Sequence, residues 1–131
     1  MSQEIALLYN LKGERAKKVQ GVLMFLGIRV RHVAEEDYGL KVGELAEGAA
    51  AETPWQGEGF AGEMMVLKVA PARVNMLVDR FRRHKVPLPM LTAVLTETNA
   101  QWDSAALAAE LMREREAIMQ GKTEHKTIVE E

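Results

Sequence analysis

The first strongly apolar stretch of the chain, EIALLYNL (Glu4–Leu11), is a compact run closing near Asn10, and it reads as a largely buried strand. Gly13-Glu14 then opens a helix whose apolar positions Val19, Val22, Leu23 and Leu26 fall at i, i+3, i+4 and i+7. Gly27 stands where a helix end wants a residue free to take positive φ. Ile28–Val33 resumes as a strand, more polar and therefore nearer a sheet edge. After the acidic turn Glu35-Glu36-Asp37 the pattern weakens. Val42, Leu45, Ala46 and Ala49 keep helical spacing, but Gly39, Gly43 and Gly48 each cost such a helix about 1 kcal/mol relative to Ala. The pattern leaves open whether residues 39–50 form a helix. Residues 52–62, ETPWQGEGFAG, read as a Gly-rich loop that nonetheless holds Trp55 and Phe60. At least one of these aromatics is expected to fold back as a plug over the core.

The opening theme then repeats. Met64–Val69 reads as a strand, and Pro71 suits a first helical position. Val74, Leu77, Val78 and Phe81 form a helical apolar stripe, and Leu88–Leu95 reads as a final strand. Displaced by 59 residues, Leu8 matches Leu67, Val19 matches Val78 and Val22 matches Phe81. A last helix is expected from about Ser104 to Met119, with Leu107, Leu111 and Ile118 on one side. Two βαβ units and a terminal helix suggest an α+β fold, a ferredoxin-like two-layer sandwich with both major helices on one face of an antiparallel sheet. The alternative is a small three-layer α/β fold with a mostly parallel sheet, if the middle helix crosses over. Residues 1–119 are expected to form a single domain, and 120–131 a flexible tail.

Between the last strand and the last helix lies LTAVLTETNAQW, an apolar run stopping at Thr96, Glu97, Thr98 and Asn99. With Asp103 as N-cap, its carboxylate accepts from N–H groups two or three residues on, and Trp102 and Leu107 form a hydrophobic staple. Asn99 is a residue type that tolerates the left-handed conformation. The stretch thus makes sense as a hinge without any ligand. As the alternative, Thr96, Thr98, Asn99 and Trp102 form a candidate site, because ligands of α/β folds often lie at strand ends. Asp103 argues against an anion there, since it already occupies the positive helix end.

This stretch, with the acid-rich helix LAAELMREREAI after it, resembles the C-terminal signature of a bacterial family catalogued only as domain of unknown function 3783. The resemblance covers about residues 60–118: the strand MMVLKV, the helix over Val74–Phe81, the strand ending VLT, then Asn99 and Trp102. The family's pattern commonly has a lysine ahead of the VLT run, where Thr92 stands here. The resemblance implies the fold unit and a bacterial origin, and no reaction.

Composition narrows the chemistry. A chain of 131 residues is the size of one domain, and no run approaches the roughly 18 apolar residues a membrane span needs. Without cysteine there is no disulfide framework, thiolate nucleophile or thiolate metal site. The start, MSQEIALLYN, lacks the basic residues of a secretory signal, and a cytoplasmic protein is the simplest reading. GEGFAG (Gly57–Gly62) is a literal G-x-G-x-x-G, but it follows a Pro-Trp loop and leads into a strand, so a linker is the expected role. His32, His84 and His125 have no metal-ligand spacing. No group of residues reads as catalytic, and no cofactor is implied.

Charge is where the sequence departs from the ordinary. A net of -2 hides blocks of +5 over residues 11–34, -7 over 35–65, +5 over 66–96 and -4 over 97–131. RFRRHK (Arg80–Lys85) suits the cation-favouring end of its helix. Arg15, Lys17 and Lys18 lie near a helix start, against the dipole's preference, a mild pointer to function. In a ferredoxin-like fold the two basic clusters share a face but lie toward opposite ends, so one pocket is not expected of them. The preferred reading is a cytoplasmic, non-enzymatic module that binds an unidentified protein or pairs with itself as a homodimer, a +5 unit of one copy facing the -7 segment of another. Small-molecule binding or catalysis at residues 95–102 is the alternative. A nucleic-acid contact through the basic helical face ranks third, since few aromatics are available for stacking.

Overall fold

The structure is a computed structural model and describes residues 4–120. Four strands, β1 (Ile5–Tyr9), β2 (Arg29–His32), β3 (Met64–Lys68) and β4 (Leu91–Val94), make one sheet in the order β2-β1-β3-β4. β1 pairs with β2 in parallel and β3 with β4 in parallel, while the central pair β1 and β3 is antiparallel, with Leu7 opposite Val66. Helices α1 (Gly13–Phe25) and α3 (Val74–Arg83) are the crossovers of the two strand-helix-strand units. Between the units lie a 3₁₀ turn at Glu35–Asp37 and the short helix α2 (Val42–Ala46); after them comes α4 (Ser104–Met119).

Both faces of the sheet are covered. Ala6 and Leu8 of β1 and Met65 and Leu67 of β3 point into a core with Val19, Val22 and Leu23 of α1 and Leu77 and Phe81 of α3. On the other face Ile5, Leu7, Tyr9, Met64 and Val66 meet Val42 and Leu45 of α2 and Leu107 and Leu111 of α4. The fold is therefore a mixed α/β one with a mostly parallel sheet between two helical layers. This differs from the ferredoxin-like layout expected above, in which each unit is split by a strand of the other. Here each crossover returns its strand beside the one it left, and both faces of the central strands are apolar. A two-layer sandwich would leave one of those faces in water.

Both of the large aromatics in the Gly-rich loop fold back. Tyr38 and Phe60 stack with centroids 4.9 Å apart, and Trp55 and Tyr9 stand 5.5 and 5.6 Å from Tyr38. The Asn10 amide holds the loop there, donating to the carbonyls of Phe60 at 2.7 Å and Gly62 at 3.0 Å. Gly39 and Gly57 clasp the Trp55 ring so closely that an added Cβ would lie 2.8 and 2.5 Å from ring atoms. The glycines of this loop thus serve close packing.

α1 and α3 end alike. In α1, Gly27 N–H donates to the Met24 carbonyl and Ile28 N–H to that of Leu23; in α3, Lys85 N–H donates to Arg82 and Val86 N–H to Phe81. Each is the paired closure in which the first residue past the helix takes positive φ. Gly27 does so at 77°, as the sequence suggested, and Lys85 at 57°. Residues beyond 120, including His125 and most of the expected tail, lie outside the described residues. Among the described residues no helix is long and apolar enough to cross a membrane.

Removing one anchor from each layer should separate their contributions. Phe81→Ala, fully buried, should lower unfolding free energy by about 3–5 kcal/mol, and the half-buried Phe60→Ala by about 1–3 kcal/mol, read from urea denaturation. Equal small losses would show that the aromatic loop and the α3 core are not packed as described.

Candidate functional site

The strand-to-helix hinge satisfies its own polar groups. The Asn99 side-chain oxygen accepts from Thr96 N–H at 2.8 Å, its amide nitrogen donates to the Val94 carbonyl at 3.0 Å, and its backbone N–H donates to Thr96 Oγ1 at 3.0 Å. Thr98 leads a short 3₁₀ turn, Asn99–Gln101. Asp103 accepts from Ala106 N–H at 2.7 Å, capping α4, and Trp102 packs on the core cluster that contains Leu107. The hinge also ties to α2: Val42 N–H donates to the Trp102 carbonyl and Ser104 N–H to that of Tyr38. The buried Tyr9 hydroxyl bonds Ser104 Oγ at 2.8 Å. An apolar groove of about 310 Å³ runs between the loop at Glu58–Gly62 and α4, lined also by Met90 and Met112, and residues 95–102 take no part in it.

Of the basic residues near the start of α1, Arg15 is taken up structurally. Its guanidinium grips both carboxylate oxygens of Glu63, at 3.0–3.3 Å, tying α1 to the entrance of β3. Lys17 and Lys18 point elsewhere. They line a cleft of about 390 Å³ with Gly21, Val22, Phe25, His84, Lys85 and Val86. The clusters expected at opposite ends of the helical face therefore share one cleft. β1 and β3 run antiparallel, so their crossover helices run in opposite senses, and the end of α3 lies along α1. Lys17, Lys18, Gly21, Val22 and Phe25 then present one side of α1.

No acid lines this cleft; Lys17 has an exposed contact with Glu14 at 3.5 Å outside it. Its wall includes Phe25, 68% exposed and the one exposed aromatic among the described residues. The Arg80 guanidinium lies 5.2 Å from the Phe25 ring centre, and the His84 ring meets its edge at 6.2 Å. Sequence reasoning missed Phe25 and, although RFRRHK includes it, the distinct place of Lys85. The first stands at the border of the apolar stripe; the second occupies the place in its unit that Gly27 occupies in the other.

Charge sorts by layer. α1 and α3 with the flanking Lys12 and Lys85 hold eight Lys and Arg against two acids, Glu14 and Asp79. The opposite layer holds Glu35, Glu36, Asp37, Glu44, Glu47 and Glu58, together with the acids of α4. Among the described residues no group of three or more His, Asp or Glu is placed to hold a metal ion.

The most perturbed ionisable groups are on that acidic side. Burial pushes the Tyr9 phenol well above its ordinary value, against the opposing effect of its bond to Ser104. Tyr38 is raised by burial and by the nearby Glu35 carboxylate. The Lys68 ammonium, in contact with Glu47, lowers that carboxyl. None of these groups lines the basic cleft.

The family model described as Domain of unknown function (DUF3783) matches residues 63–118, from the residue before β3 almost to the end of α4. That part of the chain is similar to this family. It contains the hinge and the basic end of α3, whereas α1, with Lys17, Lys18 and Phe25, lies ahead of it. Within it, Thr92 is fully buried and its hydroxyl donates to the Pro89 carbonyl at 2.7 Å. No curated protein and no solved structure matches the chain.

Asn99→Ala removes two side-chain bonds from the hinge and should cost about 1–3 kcal/mol in thermal or urea unfolding; a neutral effect would mean the hinge is held otherwise. The tyrosines give a pH signature. An unfolded phenol ionises near pH 10, while the folded chain keeps Tyr9 protonated beyond it. The folded state then binds more protons, so stability should be complete below pH 10 and fall as pH rises above it. Tyr9→Phe should flatten that alkaline slope, measured as urea midpoints at successive pH values.

Proposed function

We propose that this protein is a non-enzymatic binding module whose basic α1/α3 face receives a polyanionic partner. The observation that carries the reading is the gathering of Lys17, Lys18, His84 and Lys85 from two separate units around one acid-free cleft. Opposed acids and bases elsewhere pair off, as Arg15 does with Glu63 and Arg31 with Asp37. The lysines of the cleft stand outside such pairing except for the exposed Lys17–Glu14 contact, and exposed pairs of that kind contribute about 0–1 kcal/mol. Hence an incoming anion displaces little.

Self-pairing is the second reading, and the same charge layout limits it. A two-fold dimer through this face would set lysines against lysines. Pairing basic face to acidic layer is head-to-tail, which closes only if the rotation allows a ring and otherwise propagates. A separate anionic partner satisfies the face without either difficulty. The cytoplasmic setting and bacterial origin expected from the sequence are compatible with such a role.

Heparin, a sulfated polyanion without bases, is the simplest probe. With about four ionic contacts, affinity should fall roughly 100-fold between about 50 and 200 mM salt. The double substitution Lys17→Glu, Lys18→Glu should remove most of the binding while leaving the melting temperature nearly unchanged, as both side chains are exposed. Heparin binding that is absent, insensitive to salt or unaffected by the double substitution sinks the proposal. Sedimentation velocity at low salt addresses self-pairing, which concentration-dependent growth in size would support.

A further inference from the structure

Resting on the reading of the basic face as a polyanion site, we propose that the Phe25 cleft is a subsite for one unstacked nucleotide of a single-stranded nucleic acid. The base would lie on the exposed face of Phe25 while Lys17, Lys18 and Lys85 take its flanking phosphates.

Three independent features point this way. The aromatic ring is the first. Tyr9, Tyr38, Trp55 and Phe60 are gathered in the opposite layer, Phe81 is fully buried and Trp102 packs on the core. Phe25 alone stays in water, within the basic face, with Arg80 and His84 set against it. A carboxylate-rich peptide would engage the lysines yet offer no flat partner for the ring. A nucleotide brings both a phosphate and a π-face, the combination that single-strand binders use.

Size is the second. The cleft, about 390 Å³ and open, falls at the lower end of small-ligand sites. It suits one base rather than the width of a duplex. A base in a duplex is stacked on both sides and cannot reach the ring, whereas an unpaired one can splay onto it.

The third is the backbone at Lys85. Both crossover helices close with the same hydrogen-bond pattern, and the position past the end takes positive φ in both. In the first unit that residue is Gly27, which adopts it without strain. In the second it is a lysine, for which the left-handed region is disfavoured, and it lines the cleft. Strain kept at one copy of a repeated turn, and there only, marks a place where a side chain is worth more than local ease.

The test is fluorescence anisotropy with labelled oligothymidylate of about ten nucleotides, within the span of single-strand sites, beside a duplex of equal length, a polyglutamate peptide and heparin. The single strand should bind more tightly than the duplex or the peptide. Phe25→Ala should weaken the oligothymidylate about tenfold, as the loss of one stacked base does, and leave heparin unchanged; Phe25→Trp should restore or strengthen it. Lys85→Gly should raise the melting temperature while weakening the oligonucleotide. Equal binding of peptide and single strand, preference for the duplex, or indifference to Phe25→Ala would overturn the nucleotide subsite while leaving a heparin-positive basic face standing. Loss of heparin binding as well would overturn the broader reading with it.

Discussion

Everything in this fold follows from the burial of both faces of one antiparallel strand pair. All five residues of β1 are buried, and four of the five in β3. Fully burying a large aliphatic side chain contributes about 1.5–3 kcal/mol, so neither face can be left to water. α1 and α3 supply one cover as crossovers. The second cover must come from what lies between and after the units, which is why a Gly-rich loop carries two aromatics and why α4 packs beneath it.

The elements themselves were legible to within a few residues, because strands and crossover helices announce themselves by spacing. Gly27 at the end of α1 and Asp103 at the start of α4 take the roles their residue types suggest. The layer count was harder. IALLY and MMVLK have no polar alternation, and that continuity is the mark of a strand covered on both sides. Pairing was illegible, since whether a crossover returns next to its own strand or one place over leaves the same hydrophobic pattern. α2 spans only Val42–Ala46, too short for periodicity to declare it. The stretch of the chain that the family model matches, residues 63–118, agrees closely with the resemblance seen in VLT, Asn99 and Trp102.

The candidate site was legible in its charges and hidden in its geometry. Lys17 and Lys18 stood out by opposing the helix dipole, and RFRRHK by its density, but only the antiparallel central pair sets one beside the other. Phe25 sits at the margin of an apolar stripe, where pattern alone cannot tell core from surface. The correspondence of Lys85 to Gly27 would have been visible had the two units been aligned at their helix ends, where the offset is 58 residues rather than the 59 of the strands. The hinge, by contrast, attracted attention for a polar cluster of which Thr96 and Asn99 bond one another.

The alternation of charge along the chain has a simple origin in the layers. Successive blocks belong to opposite sides of the sheet, so the two positive blocks fall together and the acids collect behind them. A chain with a net charge of -2 would, as a point, be pushed away from any polyanion. As a body with separated poles it behaves differently: at distances near the Debye length, about 8 Å at physiological salt, the partner's field turns it before it touches. The molecule would arrive with α1 and α3 foremost, so that orientation precedes contact and the encounter rate, like the affinity, falls as ionic strength rises.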